Sequence, residues 1–317
     1  MVKALPAEPG TENSEIPGFA IHEKIGEGGM GKVYRATQLS LQRTVAVKWL
    51  NASLSGQTRL PAFHRESQLM AALAHPHVVA IHDRGQRGGR DYLVMEFVPG
   101  ASLRAAMQPG RPWPFERAAP VLDAIAQALI YIHEQGVLHL DLKPENVLCG
   151  ENGAIKVTDF GLALPHVDAR TLSELGLAQG TLEYCSPEQC HGLPLDGRSD
   201  VFSLATLCYE LLTSKLPGRV YVPASKRNPR LPVALDAVLC RGLARDPDKR
   251  YATVADFRRD LTEALKHPGP RRHAKNIVMA FLIIALLVET AVMVWRRSQD
   301  GQAAPRAEPQ PIEIEIP

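Results

Sequence analysis

Gly26-Glu27-Gly28-Gly29-Met30-Gly31 sets three glycines in G-x-G-x-x-G spacing, and the residues after them restrict the fold more than the glycines do. In a dinucleotide-binding unit this spacing opens a helix, with an acidic residue about 20 positions further on. Here Lys32-Val33-Tyr34-Arg35-Ala36 follows, rich in β-branched and aromatic residues, and then Val45-Ala46-Val47-Lys48 in a second strand-like run. That order argues against a nicotinamide-dependent oxidoreductase. Glycine between two strands instead makes a flap whose backbone N–H groups can close over phosphates. Lys48, flanked by apolar residues, is costly to place unless an anion and a carboxylate both meet it. Glu66, on the helical stretch 62–73, is a candidate carboxylate; read alone, it is a solvated helix charge.

The chain has 317 residues, which suggests about two domains or lobes. Its 36 Lys+Arg against 34 Asp+Glu leave a net charge of +2, too balanced for a nucleic-acid binder. Five cysteines (Cys149, Cys185, Cys190, Cys208 and Cys240) are scattered, odd in number and form no C-x-x-C pair, so they read as reduced thiols. His75 and His77 flank a proline turn and lack a second ligand pair nearby. Residues 1–18 are polar and Pro/Gly-rich with no apolar run, and the expectation there is a flexible arm and no secretory leader. Strand-like runs dominate as far as Pro99, among them Thr44–Leu50 and Tyr92–Phe97. Helical spacing dominates after Ser102. Phe115–Gln135 puts Ala118, Val121, Leu122, Ile125, Leu129 and Ile132 on one face.

Further along, His139-Leu140-Asp141-Leu142-Lys143-Pro144-Glu145-Asn146 alternates polar with apolar residues, and a two-strand pattern leads on to Asp159-Phe160-Gly161. Asp141, Asn146 and Asp159 are hard oxygen ligands or proton acceptors, suited to Mg²⁺ and to a hydroxyl nucleophile. A lone Asp in a loop is usually a turn former. Three such groups beside a lysine, downstream of a glycine flap, point to chemistry.

In this order the motifs GEGGMG, VAVK, a helix Glu, HLDLKPEN, DFG and SPE resemble those of the eukaryotic-like protein kinases, most closely the bacterial membrane serine/threonine kinases. The likeness runs from about Phe19 to Leu265. It implies an α+β, bilobal protein kinase fold, with a small β-rich lobe over about 19–97 and a larger helical lobe over about 98–265. The resemblance also implies ATP and Mg²⁺ as cofactors, with Mn²⁺ as an alternative metal, and protein substrates with Ser/Thr acceptors. Carried over residue by residue, the backbone of Gly26, Glu27, Gly28, Gly29, Met30 and Gly31 would cover the phosphates. Lys48, oriented by Glu66, would hold the α- and β-phosphates. Asp141 would orient the substrate hydroxyl, Lys143 would neutralise charge on the γ-phosphoryl group, and Asn146 and Asp159 would bind metal. Ile25, Val33, Ala46, Met95 and Leu148 would wall the adenine pocket, with Met95 as gatekeeper and Glu96 to Val98 as hinge. Lys143, together with Gly180-Thr181 before Tyr184, resembles the Ser/Thr-specific pattern. Glu188 would pair with Arg250, and Asp200 would brace the catalytic loop. An alternative is a pseudokinase scaffold that binds nucleotide and signals through protein contacts; loss of Lys48, Asp141, Asn146 or Asp159 would have favoured it.

Two departures from the family pattern stand out. Leu140 replaces an arginine that normally receives an activation-loop phosphate, so little dependence on phosphorylation at Thr171 or Ser173 is expected, and the state of Thr181 is open. The stretch 214–227 is short where the family usually carries a helix. Beyond a basic linker over 266–276, Ile277–Trp295 is 19 residues with one charge, Glu289, and as a helix of ~1.5 Å rise would span roughly 28 Å. The expectation is a single transmembrane helix anchoring the chain in the cytoplasmic membrane, with the kinase domain in the cytoplasm and a short Pro-rich tail, 296–317, outside. Glu289 marks either a helix–helix contact in a homodimer or a carboxylate reaching interfacial water.

Overall fold

The structure, a computed structural model, describes residues 16–28, 31–51, 72–160, 183–218, 220–266 and 283–293. Gly29, Met30, Glu66 with residues 62–71 of its expected helix, Thr171, Ser173 and Thr181 lie outside them. The chain divides into two units, Met1–Gly269 and Pro270–Pro317.

The first unit opens with an antiparallel sheet of β1 (Phe19–Gly28), β2 (Gly31–Gln38), β3 (Arg43–Leu50), β4 (Ile81–Arg87) and β5 (Arg90–Glu96), in the order β1-β2-β3-β5-β4. Successive residues of a strand face opposite sides, and β3 uses both. Val45, Val47 and Trp49 pack with Ile16, Ala36 and Val94 on one side, whereas Ala46 packs with Val79 and Met95 on the other. Ile16, placed by the sequence reading in the flexible arm, is in fact 1% exposed and belongs to this core. Its carbonyl accepts from the Phe19 amide at 3.0 Å, which turns the chain into β1.

The helical part begins with β6 (Gly100–Ser102), α1 (Leu103–Ala106) and α2 (Phe115–Glu134), followed by β7 (Val147–Gly150) and β8 (Ile155–Val157). β6, β7 and β8 form a small antiparallel sheet. Next come α3 (Pro187–His191), α4 (Gly197–Thr213), α5 (Ala224–Arg227), α6 (Ala234–Gly242) and α7 (Val254–Lys266). The six residues expected on the inner face of α2 are all buried, each aliphatic among them contributing roughly 1.5–3 kcal/mol. They pack with Val201, Leu204, Leu207 and Leu211 of α4 in one core. α4 is buried on nearly every side, its polar Ser199, Asp200, Ser203 and Thr206 included, so these need partners within the protein.

Two partners match expectation. Arg250 donates to both oxygens of Glu188 at 2.6 and 2.7 Å, and Ser199 Oγ adds a third bond to that carboxylate at 2.7 Å. Asp200 reaches the loop before Asp141. The 214–227 stretch differs from expectation, since it ends in the helical turn α5. Ser225 donates to Asp236 of α6 from both its amide and its hydroxyl, and Asn228 Nδ2 donates to the Leu212 carbonyl at 2.8 Å. A short connection is thus pinned to both neighbouring helices.

In the second unit, residues 283–293 are helical with exposed side chains. Thr290 Oγ1 donates within that helix to the carbonyls of Leu286 and Leu287. Among the described residues no helix is long and apolar enough to cross a membrane.

Candidate active site

The site is built on the segment between α2 and β7. Leu140 has φ +59°, a left-handed conformation that costs an L-residue roughly 1–2 kcal/mol. Its peptide groups are held on both sides. The Leu140 amide donates to Asp200 Oδ1 at 2.8 Å, and the Leu140 carbonyl accepts from Gln189 Nε2 of α3 at 2.7 Å. Asp200 Oδ2 also accepts from the His139 amide (2.8 Å) and from His133 Nε2 (2.7 Å). Burial alone would raise the Asp200 carboxyl, but the bond and charge of His133, the His139 ring and the backbone amide outweigh it and hold it lower.

His139 is fully buried, and burial pushes its ring towards the neutral form. The Asp141 amide donates to His139 Nδ1 at 3.2 Å, so the ring proton is on Nε2, which faces the Thr158 carbonyl at 3.2 Å. A neutral imidazole therefore spaces the Asp141 loop from the end of β8.

Asp141 projects from this frame. Lys143 Nζ donates to its two oxygens at 2.8 and 2.9 Å. Asn146 Nδ2 donates to the Asp141 carbonyl at 2.8 Å and to Oδ2 at 2.9 Å. Both amide hydrogens of Asn146 are used on Asp141, which leaves Oδ1 as its acceptor for a cation. The pairing Val147↔Val157 sets residues 146 and 158 side by side, and the Thr158 amide donates to the Asn146 carbonyl at 2.9 Å. Asp159, next along, has φ +54°. Lys48 of β3 is 5% exposed, and its Nζ donates to Asp159 Oδ1 at 2.6 Å, which joins the sheet to the residues just after β8. Glu66 lies outside the described residues.

Four of the five expected pocket walls meet. Ala46 and Met95 form an apolar cluster with Val79, and Val33, Leu148 and Val98 pack on it. Ile25 is 45% exposed on β1. At the expected hinge, Lys156 of β8 pairs with Glu96 at 2.9 Å, and the Glu96 amide donates to the Ala80 carbonyl at 2.8 Å.

The glycines of the flap divide into two kinds. A Cβ on Gly31, whose φ is +151°, would lie 1.8 Å from the Trp49 carbonyl oxygen, so this glycine is demanded by the protein's own backbone. A Cβ on Gly28 would meet nothing within 4 Å, and on Gly26 only Val33 at 3.8 Å. Neither of those two is a glycine for the sake of the protein's own packing. Asn146 and Asp159 supply one neutral and one anionic oxygen donor, which suits Mg²⁺, an ion usually held by one or two carboxylates together with water and phosphate oxygens. The residues present therefore fit a magnesium–nucleotide complex.

Several participants escaped the sequence reading. Val79 and Lys156 lie far in sequence from the residues they serve. Gln189 is the third residue of a helix capped by Ser186, where its side chain completes the cap. Arg104 of α1 bonds Glu145 at 2.7 Å, Glu210 at 2.8 Å and the Tyr184 hydroxyl at 2.6 Å, and that hydroxyl donates to Glu210 in turn. No local pattern announces that cluster beside Asp141.

A β-rich lobe with a glycine flap, a buried lysine paired with an aspartate, and a rigid Asp-Lys-Asn loop define a phosphotransferase cleft. Residues 19–267 match the protein kinase domain family, and the chain belongs to that family. It is 36% identical over 282 residues to serine/threonine-protein kinase PknB of Mycobacterium leprae, covering 82% of this chain and 44% of that protein. It is 38% identical over 283 residues to PknB of Mycolicibacterium smegmatis, with the same coverage of 82% and 44%. To PknF of Mycobacterium tuberculosis it is 34% identical over 340 residues, covering 93% of this chain and 71% of that protein. The chain thus spans less than half the length of the PknB relatives.

Proposed function

We propose that this chain transfers the γ-phosphate of ATP, with Mg²⁺, to serine and threonine hydroxyls of proteins, its own included, and does so from the cytoplasmic face of a membrane. The observation that carries this reading is the carboxylate of Asp141, held by Lys143 and Asn146 on a loop that Asp200 and Gln189 fix. The nucleotide supplies the phosphoryl group and the metal supplies positive charge near it. The remaining work belongs to the chain. Asp141 orients an incoming hydroxyl and accepts its proton, and Lys143 holds that carboxylate in place while adding positive charge beside it. Asn146 Oδ1 and Asp159 are the groups to hold the metal, and Lys48 is the cation for the nucleotide's inner phosphates. Val33, Ala46, Met95 and Leu148 offer an apolar slot for the base, with Ile25 as its outer lip. Such a site works by positioning and charge neutralisation.

Membrane attachment rests on the apolar run Ile277–Trp295 and its basic flanks. The cytoplasmic setting follows from the need for ATP. Glu289 is the polar group within the span that a pairing of two chains would use, and the same carboxylate is near enough to the C-terminal end to reach interfacial water instead. The scaffold reading is weakened by the intact Lys48, Asp141, Asn146 and Asp159.

The test is Mg²⁺-dependent transfer from γ-labelled ATP by the full chain in bilayers, beside Asp141→Asn. Removal of a positioned base costs roughly 10²- to 10⁴-fold, so label on Ser/Thr should fall by that much while the melting temperature holds. Equal transfer by the variant would overturn the reading. Mg·ATP binding without transfer by the wild type would favour the scaffold.

A further inference from the structure

α3 starts with a capping box: Gln189 N donates to Ser186 Oγ at 3.4 Å, and Ser186 N donates to Gln189 Oε1 at 3.0 Å. With Ser186 as the cap, Cys185 is the residue just before it and Cys190 is the fourth residue of the helix. Side chains at those two positions pack on each other and set the angle at which the chain enters the helix; an apolar pair usually fills them. Here both are thiols, and the two are close enough to act on each other electrostatically. The pair lies where a change in backbone would be felt. Asp141 and Lys143 are close enough to act electrostatically on the Cys185 sulfur. Tyr184, bonded to Arg104 and Glu210, directly precedes Cys185, and Gln189, bonded to the Leu140 carbonyl, directly precedes Cys190.

We propose that Cys185 and Cys190 are a modification site, a thiol pair that a hydroperoxide closes to a reversible disulfide and that slows phosphoryl transfer when closed. Cys190 is exposed and Cys185 half-buried, so the oxidant meets Cys190 first. Its sulfur attacks the peroxide, the O–O bond breaks, and a sulfenic acid results together with one water from hydrogen peroxide, or one alcohol from an organic hydroperoxide. Cys185 then attacks that sulfur; the S–O bond breaks, the S–S bond forms, and the Cys185 proton leaves with the hydroxyl as water. Two thiols have lost two electrons and two protons, and the peroxide has taken them up. Burial, with Cys190 and Asp141 adding to it, pushes the Cys185 thiol up to about 12, so Cys185 is almost wholly protonated at rest and the exposed Cys190 is the thiol oxidised first. A disulfide needs its sulfurs ~2.05 Å apart, nearer than any thiol hydrogen bond. Closure therefore draws the segment carrying Tyr184 towards α3 and strains the link to Leu140. The effect on rate rests on the kinase reading, but formation of the bond does not.

Both thiols fall in one tryptic peptide, residues 171–198, with no other cysteine. Full-length protein treated with hydrogen peroxide should yield this peptide lighter by two hydrogens and resistant to iodoacetamide until dithiothreitol is added. Displacements of ~1 Å at reacting groups cost up to ~100-fold, so transfer to a serine peptide should fall at least about tenfold and recover with reductant. Cys185→Ser and Cys190→Ser, made separately, should each abolish both changes. Sulfenic or sulfinic acid on Cys190 with no loss of two hydrogens would overturn the pairing. A disulfide that leaves the rate unchanged would overturn its regulatory consequence. A reduced protein that transfers no phosphate would sink the kinase reading alone, since the mass shift is read without activity.

Discussion

The catalytic segment 139–146 and the glycine flap at the end of β1 serve the same cleft, and the protein builds them in opposite ways. The segment hangs from a buried carboxylate, Asp200, that receives three hydrogen bonds, and each oxygen of Asp141 has a donor of its own. Along the flap, His22 to Ile25 and Glu27 to Gly28 are exposed. Its ion pairs, Lys24–Glu27 at 2.6 Å and Arg35–Glu23 at 2.6 Å, are surface pairs of the kind that add little stability. The groups that must hold charge in place are therefore set before any ligand arrives, at the cost of burying polar side chains deep in the lobe. The flap has only to cover what comes. Rigidity has been placed where charge develops, and freedom where a nucleotide must enter and leave.

The largest effect should come from removing the anchor of the rigid region. Asp200→Ala leaves His133 Nε2 and the amides of His139 and Leu140 without their acceptor. Breaking a buried charged network from one side costs roughly 3–5 kcal/mol, so the melting temperature should drop by many degrees and transfer should be lost. A melt within a degree or two of wild type would show that the segment is held by something else. Acid should probe the same anchors. Glu188 is also held low, because Arg250 and Ser199 outweigh the burial that would raise it. With folded values below the unfolded ~4, both carboxylates contribute in full above that range. Their contribution is lost as pH falls through the folded values. The denaturant midpoint should therefore fall from about pH 5 to about pH 3, and less steeply in Asp200→Ala.

A smaller contrast separates the two kinds of flap glycine. Gly31→Ala must push the Trp49 carbonyl aside, and overpacking of this sort costs about 1–3 kcal/mol. Gly28→Ala enters open space, so stability should stay within about 0.5 kcal/mol while the KM for ATP rises, because the new methyl stands where phosphate oxygens would approach. Thermal melts beside ATP titrations separate the two effects. If Gly28→Ala melted as early as Gly31→Ala, the flap would be as tightly constrained as the catalytic segment.

What could be read from the chain follows the same divide. Asp141, Lys143, Asn146 and Asp159 stand out because polar residues set among apolar ones need partners, and a short hairpin brings those partners together. The inner face of α2 is legible because its period matches a buried helix face. β1 and β4, the two edges of the five-stranded sheet, carry charges where inner strands carry aliphatics, and neither showed as a strand. Ile16 sits alone in a polar run, so nothing nearby signals its burial. The bonds of Asp200 to His133, of Gln189 to Leu140 and of Lys156 to Glu96 each join residues dozens of positions apart. Such contacts depend on where helices pack, which residue periodicity does not record.

Leu140 gives the finest test of how complete the rigid region is. An arginine at this position would gather an activation-loop phosphate; leucine has no donor for one. Its left-handed backbone is instead fixed through its amide by Asp200 and through its carbonyl by Gln189, both within the lobe. An aspartate and a glutamine thus hold this loop from within the lobe. Thr171→Ala combined with Ser173→Ala should therefore change the initial rate by less than about tenfold, or 1.4 kcal/mol. Gln189→Leu, which frees the Leu140 carbonyl, should cost more than that pair of substitutions. Rates for the three proteins under one set of conditions decide the matter: a double variant slower than Gln189→Leu would mean that the loop still waits on phosphorylation despite the leucine.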